Sequence, residues 1–319
     1  MDQNGIMAEA ADDLDVVIDA AALWLAAGRH VALATVIETW GSAPRRAGSH
    51  LVIRDDGIFE GSVSGGCVEG DVIVQALELI AAGGGFRRLD YGVADAQAWE
   101  VGLACGGRIS ILLQTVDGAH FPPALIERIV DARAQGLPLG LATDLTSGAT
   151  RENAAPLKEW FFNLYPPRRR LAIVGAVHIA QLLVPMARLA GYETTVIDPR
   201  GMFAAAARFD QPVDENWPDE ALDRWRPDGG SAVVSLTHDP KLDDPALARA
   251  LNSPAFYIGA LGSRKTHAAR LERLGAAGFT DKELARIHGP AGLPIGAAGP
   301  AEIAVSILAE MTTVLRSSK

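Results

Sequence analysis

A chain of 319 residues in which 49 % are hydrophobic has apolar material for two cores of roughly 150 residues each. Its net charge of −10 excludes a global positive field for nucleic acid or an anionic membrane surface, so any bound anion must be held locally. Two cysteines are too few for a disulfide framework, the acidic start MDQNGIMAEAADDLDVV is unlike a leader, and no apolar run reaches the roughly 18 residues of a membrane helix. A cytoplasmic protein with no nucleic-acid or membrane partner is expected.

Residues 13–27 carry apolar side chains at helical spacing from an Asp cap and stop at Gly28, and VALATVI at 31–37 reads as a buried strand. HLVIRDDGIFEG predicts a hairpin, because DDG supplies the positive φ that a tight turn needs. EGDVIVQALELIAA, 69–82, is an amphipathic helix ended by Gly83–Gly85. RRLDYG and RISILLQTV read as strands, FPPALIERIVDARAQG as a helix with Pro near its start, and LPLGLATDL as a further strand. These make an α+β domain over 1–162. NLYPPRRR at 163–170 is a stiff Pro/Arg-rich linker.

From 171 to 319 the pattern becomes strand, glycine turn, helix, strand. LAIVGAVHIAQLLVPMARLAGYETTVIDPR is one βαβ unit of a Rossmann-like, doubly wound parallel sheet, and SAVVSLTHD and AFYIGALGSRK add two strands before a helix near PAEIAVSILAEM. Such sheets bind ligands at the carboxyl ends of their strands. Gly175–His178, Asp198–Arg200, Thr237–Asp239 and Gly259–Lys265 are therefore expected to meet on one edge. The dinucleotide fingerprint is damaged there: Val177 stands where the second glycine admits a pyrophosphate, so NAD(P) is a doubtful ligand. Asp198 suits a ribose hydroxyl and equally suits a turn or helix cap.

GSAPRRAGSH at 41–50, GSVSGGCVEGD at 61–71, ACGG at 104–107, PPRRRLAIVGAVHIA, LTHD at 236–239, YIGALGSRKTHAARLERL at 257–274 and GLPIGAAGPAEIAVSILAEM at 292–311 together resemble the XdhC/CoxI maturation factors. The resemblance covers most of the chain from about residue 31, although the family's usual GAGH is GAVH here. It implies an XdhC/CoxI domain joined to a Rossmann domain. It also implies a helper that binds molybdenum cofactor as cargo, protects it while a cysteine desulfurase supplies its terminal sulfur, and delivers it to an apo molybdenum hydroxylase such as xanthine or CO dehydrogenase. A homodimer is expected.

Molybdenum cofactor is a pterin with a dithiolene and a phosphate, so its pocket needs anion donors. Ser42, Arg45 and Arg46 with the amides around Gly41 and Gly48 offer such donors, or else form a solvated loop. Cys67 falls where a helix begins near Val68 or Glu69, beside Gly65 and Gly66. There unpaired amides favour thiolate and a ligand can come close, with molybdenum a tentative contact; a buried structural cysteine is the alternative. Cys105 and Gly106 sit in a second Cys/Gly-Gly element. Gly262, Ser263, Arg264 and Lys265 open a basic helix as an anion site, or the cations pair with surface acids. His178, His238 and Asp239 share the edge of Gly175 and Asp198 as acid, base or ligand groups, or are satisfied by neighbours. Glu302 fits a helix start, and the tryptophans and the FF at 161–162 read as core or interface packing. No catalytic Ser/Tyr/Lys or His/Asp motif is present, which favours a cofactor-binding chaperone over the competing NAD(P)-dependent oxidoreductase.

Overall fold

Strand β1 (Ile6–Glu9) precedes helix α1 (Leu14–Ala26), which buries Leu14, Val17, Ile18, Ala21 and Trp24 at helical spacing. This is a computed structural model, and it describes residues 6–9, 14–41, 45–92, 107–152, 159–203 and 208–317. Strand β2 (Val31–Trp40) runs past the predicted end at Ile37. Of its last three residues Glu38 and Thr39 carry no hydrophobic signal, and Trp40 is exposed. They stay in the sheet because pairing resumes after an irregularity between Val36 and Glu38 and reaches Trp40 opposite Arg108. Strands β3 (His50–Arg54) and β4 (Phe59–Gly61) form the predicted hairpin, closed by the Gly57 amide donating to the Arg54 carbonyl at 2.9 Å.

Helix α2 (Glu69–Ala81), strands β5 (Phe86–Tyr91) and β6 (Arg108–Thr115), helix α3 (Pro123–Ala134) and strand β7 (Leu139–Asp144) follow as the patterning requires. Three short strands of this unit were not evident from periodicity: β1, β8 (Thr150–Glu152) and β9 (Trp160–Tyr165). Asn163–Tyr165, expected as linker, thus belong to a strand, and the segment between strands shrinks to Pro166–Arg169. By compactness the chain divides into Met1–Pro167 and Arg168–Lys319.

The N-terminal unit holds two sheets, ordered β4-β3-β2-β6-β5 and β1-β9-β7-β8. Alternation along β2 sends Val31 and Leu33 into a core with α1 and α3, while Ala32, Ala34 and Val36 face α2 through Val72, Ala76 and Leu79. His50, 2 % exposed, lies in this interior. Its Nδ1 meets Thr35 Oγ1 at 3.0 Å, its Nε2 meets Asn163 Nδ2 at 3.0 Å, and its ring stacks on Tyr165. Burial pushes the imidazole down to about 3, helped by the charge of Arg45 and opposed by a bond to the Ala34 backbone. The unfolded chain therefore takes up a proton near pH 6.5 that the folded chain refuses. Stability is expected to fall by about 1.4 kcal/mol per pH unit below about 6.5, down to about pH 3. Thermal denaturation of His50→Gln across pH 7 to 4 checks this. The variant should lose that part of the slope, and an unchanged slope would show that the ring protonates in place.

The C-terminal unit begins with β10 (Arg170–Val174), α4 (His178–Leu189) and β11 (Glu193–Ile197). It continues with β12 (Val213–Asp214), α5 (Pro218–Trp225), β13 (Ser231–Ser235), α6 (Pro240–Leu251) and β14 (Tyr257–Ala260). Helices α7 (Arg264–Ala276) and α8 (Asp281–Leu284), strand β15 (Ile287–His288) and helix α9 (Pro300–Ser317) complete it. Its six strands are all parallel in the order β12-β11-β10-β13-β14-β15, the Rossmann arrangement with its switch point between β10 and β13. Helices α4 and α9 cover one face, and α5, α6 and α7 the other. Among the described residues no helix is long and apolar enough to cross a membrane.

Candidate functional site

In the N-terminal unit the loop before α2 is built around one carboxylate. Glu69 Oε1 accepts from Ser62 Oγ at 2.7 Å and from the amides of Val63 and Ser64 at 3.1 and 2.8 Å. Its Oε2 accepts from Ser64 Oγ and, at 2.9 Å, from the amide of Gly66. Ser64 Oγ in turn accepts the amides of Cys67 and Val68, each at 2.9 Å, and Ser62 Oγ accepts that of Gly65 at 2.9 Å. Gly65 and Gly66 adopt φ of +78° and +112°, a bend that a residue with Cβ would resist. Burial pushes the Glu69 carboxyl up, but bonds from Ser64 and Ser62 outweigh it and hold the group at about 2.

This corrects one expectation. The helix does begin at Glu69, but the amides of Gly66, Cys67 and Val68, expected to be unpaired, donate to Glu69 and Ser64. The Gly48 amide, expected in a nest, likewise donates to the Val36 carbonyl at 2.8 Å. Cys67 itself is half-buried at the rim of the α2 core, and a Cβ at Gly66 would meet nothing within 4 Å, so the glycine face of the loop is open. Arg45 is brought to this loop, donating from Nε to the Ser62 carbonyl at 3.0 Å. Arg46 lies half-buried in the adjoining turn, where its carbonyl accepts the Ser49 amide. Ser42, Cys105 and Gly106 lie outside the described residues.

Beside the start of α2, the Tyr91 hydroxyl donates to Asp71 Oδ2 at 2.6 Å. Tyr91 also lines an open groove of about 490 Å³ at one end of the sheet, together with Trp40, Arg88, Asp90, Gly92 and Arg108. Trp40 is 74 % exposed, so of the core or interface packing expected for the tryptophans it takes no part in the core. Arg88 pairs with Asp90 and Glu38, whereas Arg108 meets no carboxylate among the described residues. Glu69, Trp40, Tyr91 and Arg108 escaped sequence reasoning. The usable signals were the serines two apart ahead of Glu69, and the position of Trp40 and Arg108 next to the glycine-rich elements.

In the C-terminal unit the four expected segments do converge. A Cβ on Gly175 would stand 2.6 Å from Thr237 Cγ2, the Leu236 amide donates to the Val174 carbonyl, and a Cβ on Gly262 would lie 3.8 Å from His238 Nδ1. Of the two roles expected for Asp198, its hydrogen bonds are those of a turn cap. The residue is fully buried, its Oδ2 accepts from the Ala176 amide and Arg200, and its Oδ1 accepts from the Arg200 amide and Nε. Burial opposes ionisation, but Arg200 and these amides hold the carboxyl below the usual range. No lone pair is left for a ribose. Arg208 closes the same turn by donating to the carbonyls of Ala176 and Phe203. Asp239 is a helix cap, accepting from the Lys241 amide at 3.0 Å. His178 opens α4 and is exposed; His238 is exposed with φ of +62°, a strained backbone for a residue with a side chain. Ser263 caps α7, while Arg264 and Lys265 are exposed and meet no acid among the described residues. Among those residues no group of three or more His, Cys, Asp or Glu is arranged to hold a metal.

A Rossmann sheet whose first turn is locked by its own aspartate, preceded by a unit with a thiol-bearing glycine loop, defines a two-part protein of a recognisable class. The chain belongs to the XdhC/CoxI family: the XdhC and CoxI family profile matches residues 24–92, and that of the XdhC Rossmann domain matches 171–311. It is 31 % identical over 305 residues to the molybdenum cofactor insertion chaperone PaoD of Escherichia coli K12, covering 95 % of this chain and 89 % of that protein. It is 27 % identical to a Bacillus subtilis 168 protein described as a probable xanthine dehydrogenase subunit, covering 88 % and 91 %. The crystal structure of a protein described as a xanthine dehydrogenase from Bacillus halodurans superposes with a TM-score of 0.77 at 27 % identity, covering 95 % and 96 %.

Proposed function

We propose that the chain is a molybdenum-cofactor carrier that receives the pterin at the N-terminal unit's glycine loop and groove and delivers it to a molybdenum hydroxylase. The observation that carries this reading is that Arg45 reaches the loop bearing Cys67 and the open face of Gly66, with Tyr91 linking α2 to a groove bearing Trp40 and Arg108. A groove of about 490 Å³ falls within the range of small-molecule sites, and an aromatic face beside guanidinium groups suits a flat, anionic heterocycle. The relative PaoD, named as an insertion chaperone, supports the same role.

On this reading Cys67 offers molybdenum a single thiol ligand at the open glycine face of the loop, and the cargo is held there while a cysteine desulfurase supplies sulfur. A cytoplasmic homodimer is part of the proposal. Cys67→Ala removes a side chain that is only half-buried, so stability should change by about 1 kcal/mol or less. Activity of the co-expressed molybdenum hydroxylase is expected to drop by at least about tenfold, as fits loss of one metal contact. Purification from a cofactor-producing strain, followed by pterin fluorescence of the released ligand, tests binding directly. Protein free of pterin, with full client activity in Cys67→Ala, would defeat the reading.

A further inference from the structure

We propose that the N-terminus of α7 in the C-terminal unit binds a phosphate ester, displaced by two strands from the place where a Rossmann fold ordinarily holds one. At the ordinary place, the turn after β10, the protein's own groups take part of the room. Val177 carries a branched side chain at the helix entry, the Ala176 amide donates to Asp198, and Arg208 takes the Ala176 carbonyl. At α7 no branched side chain stands at the helix entry. Ser263 caps it by accepting the Thr266 amide at 3.1 Å, and the next two amides, of Arg264 and Lys265, meet no acceptor among the described residues. A helix of 13 residues presents a positive dipole end there, and both side chains stand exposed without an acidic partner among the described residues.

A second observation lies beneath this end. Arg270, 1 % exposed, reaches back along α7 and donates from one terminal nitrogen to the Leu261 carbonyl at 3.0 Å, immediately before Gly262. That nitrogen also meets Asp243 Oδ2 at 3.2 Å. Its Nε and its other terminal nitrogen are buried with no partner among the described residues. Buried guanidinium donors are almost always satisfied, so two orphans at a helix entry mark a place where negative charge is wanted. Gly262, at φ of +145°, keeps the approach free of a side chain, and His238 stands beside it. The nearest carboxylates are already committed, Asp239 to its cap and Asp243 to Arg270, Ser235 and Thr237. Two ligands carry the required chemistry: the terminal phosphate of a pterin and the diphosphate of a free nucleotide. The inference does not depend on the groove of the N-terminal unit.

Isothermal titration of the full-length protein with inorganic pyrophosphate at low ionic strength tests it. Saturable binding is expected, weakened about tenfold or more when the charge-assisted donors are reduced in an Arg264→Ala, Lys265→Ala double variant. Lys282→Ala, exposed on α8, should bind as the unmodified protein does. Because these positions lie on the surface, folding is preserved and the comparison stays clean. Arg270→Lys keeps the charge but loses the fork, and pyrophosphate should raise its melting temperature less than that of the unmodified chain. Competition by a pterin monophosphate or by a nucleoside diphosphate identifies which molecule supplies the phosphate. No saturable heat, or equal affinity in the double variant, would overturn the proposal whatever the fate of the pterin reading.

Discussion

Asp243→Ala is expected to destabilise the C-terminal unit by about 3–5 kcal/mol, because it leaves a buried guanidinium uncompensated. Asp243 and Arg270 are 2 % and 1 % exposed, and their closest approach is 3.2 Å. The carboxylate does more than neutralise: its other oxygen accepts from the hydroxyls of Ser235 and Thr237, so three donors are stranded together. Ser235 ends β13 and Thr237 begins the turn that carries His238, hence the loss should spread along the sheet edge. Urea denaturation measures it. The double variant Asp243→Leu, Arg270→Met should recover most of the stability, since removing both charges avoids the desolvation penalty. A single-variant loss below about 1 kcal/mol would show that water reaches the guanidinium and satisfies it.

Glu69→Ala is expected to cost about 2–4 kcal/mol, because it leaves the amides of Val63, Ser64 and Gly66 and two serine hydroxyls without their acceptor. Glu69→Gln keeps one acceptor oxygen and should cost less, about 1–2 kcal/mol. The pH dependence separates the charge from the shape. The carboxyl titrates at about 2 when folded, below its ordinary value near 4.5. Its stabilisation is therefore complete above about pH 4.5 and is lost as pH falls toward 2. The stability gap between the native chain and Glu69→Gln should narrow between pH 5 and pH 3. A gap that stays constant would mean that the hydrogen-bond pattern, not ionisation, sets the contribution. Hydrogen exchange of residues 63–68 gives the local version, with protection falling in Glu69→Ala while α1 and α3 keep theirs.

The Rossmann unit was legible because its signals are local and repeat: a strand, a glycine, an amphipathic helix, then an aspartate at the next strand end. Convergence of Gly175, Thr237, His238 and Gly262 followed from strand direction alone. The choice between the two roles of Asp198 did not, since its partners are an arginine two residues on and an amide at the end of another strand. In the N-terminal unit the β3–β4 hairpin and α2 were readable from turn chemistry and periodicity. Strand β9 was hidden because WFFNLY runs into prolines and arginines that signal a linker. Glu69 was hidden for a different reason. A carboxylate in the first helical turn ordinarily serves the dipole, and nothing in composition says that it gathers amides from six residues upstream to three. Trp40 shows the limit of hydrophobicity as a guide to burial, since its strand extends beyond the core that the same strand fills.

The main chain before α2 is finished before any visitor arrives. With its amides tied inward to a single anionic hub, a molecule settling against this surface has no backbone to order on arrival and none to loosen on departure. If cargo is carried here as proposed, capture and surrender would involve side chains and solvent and not this stretch of main chain.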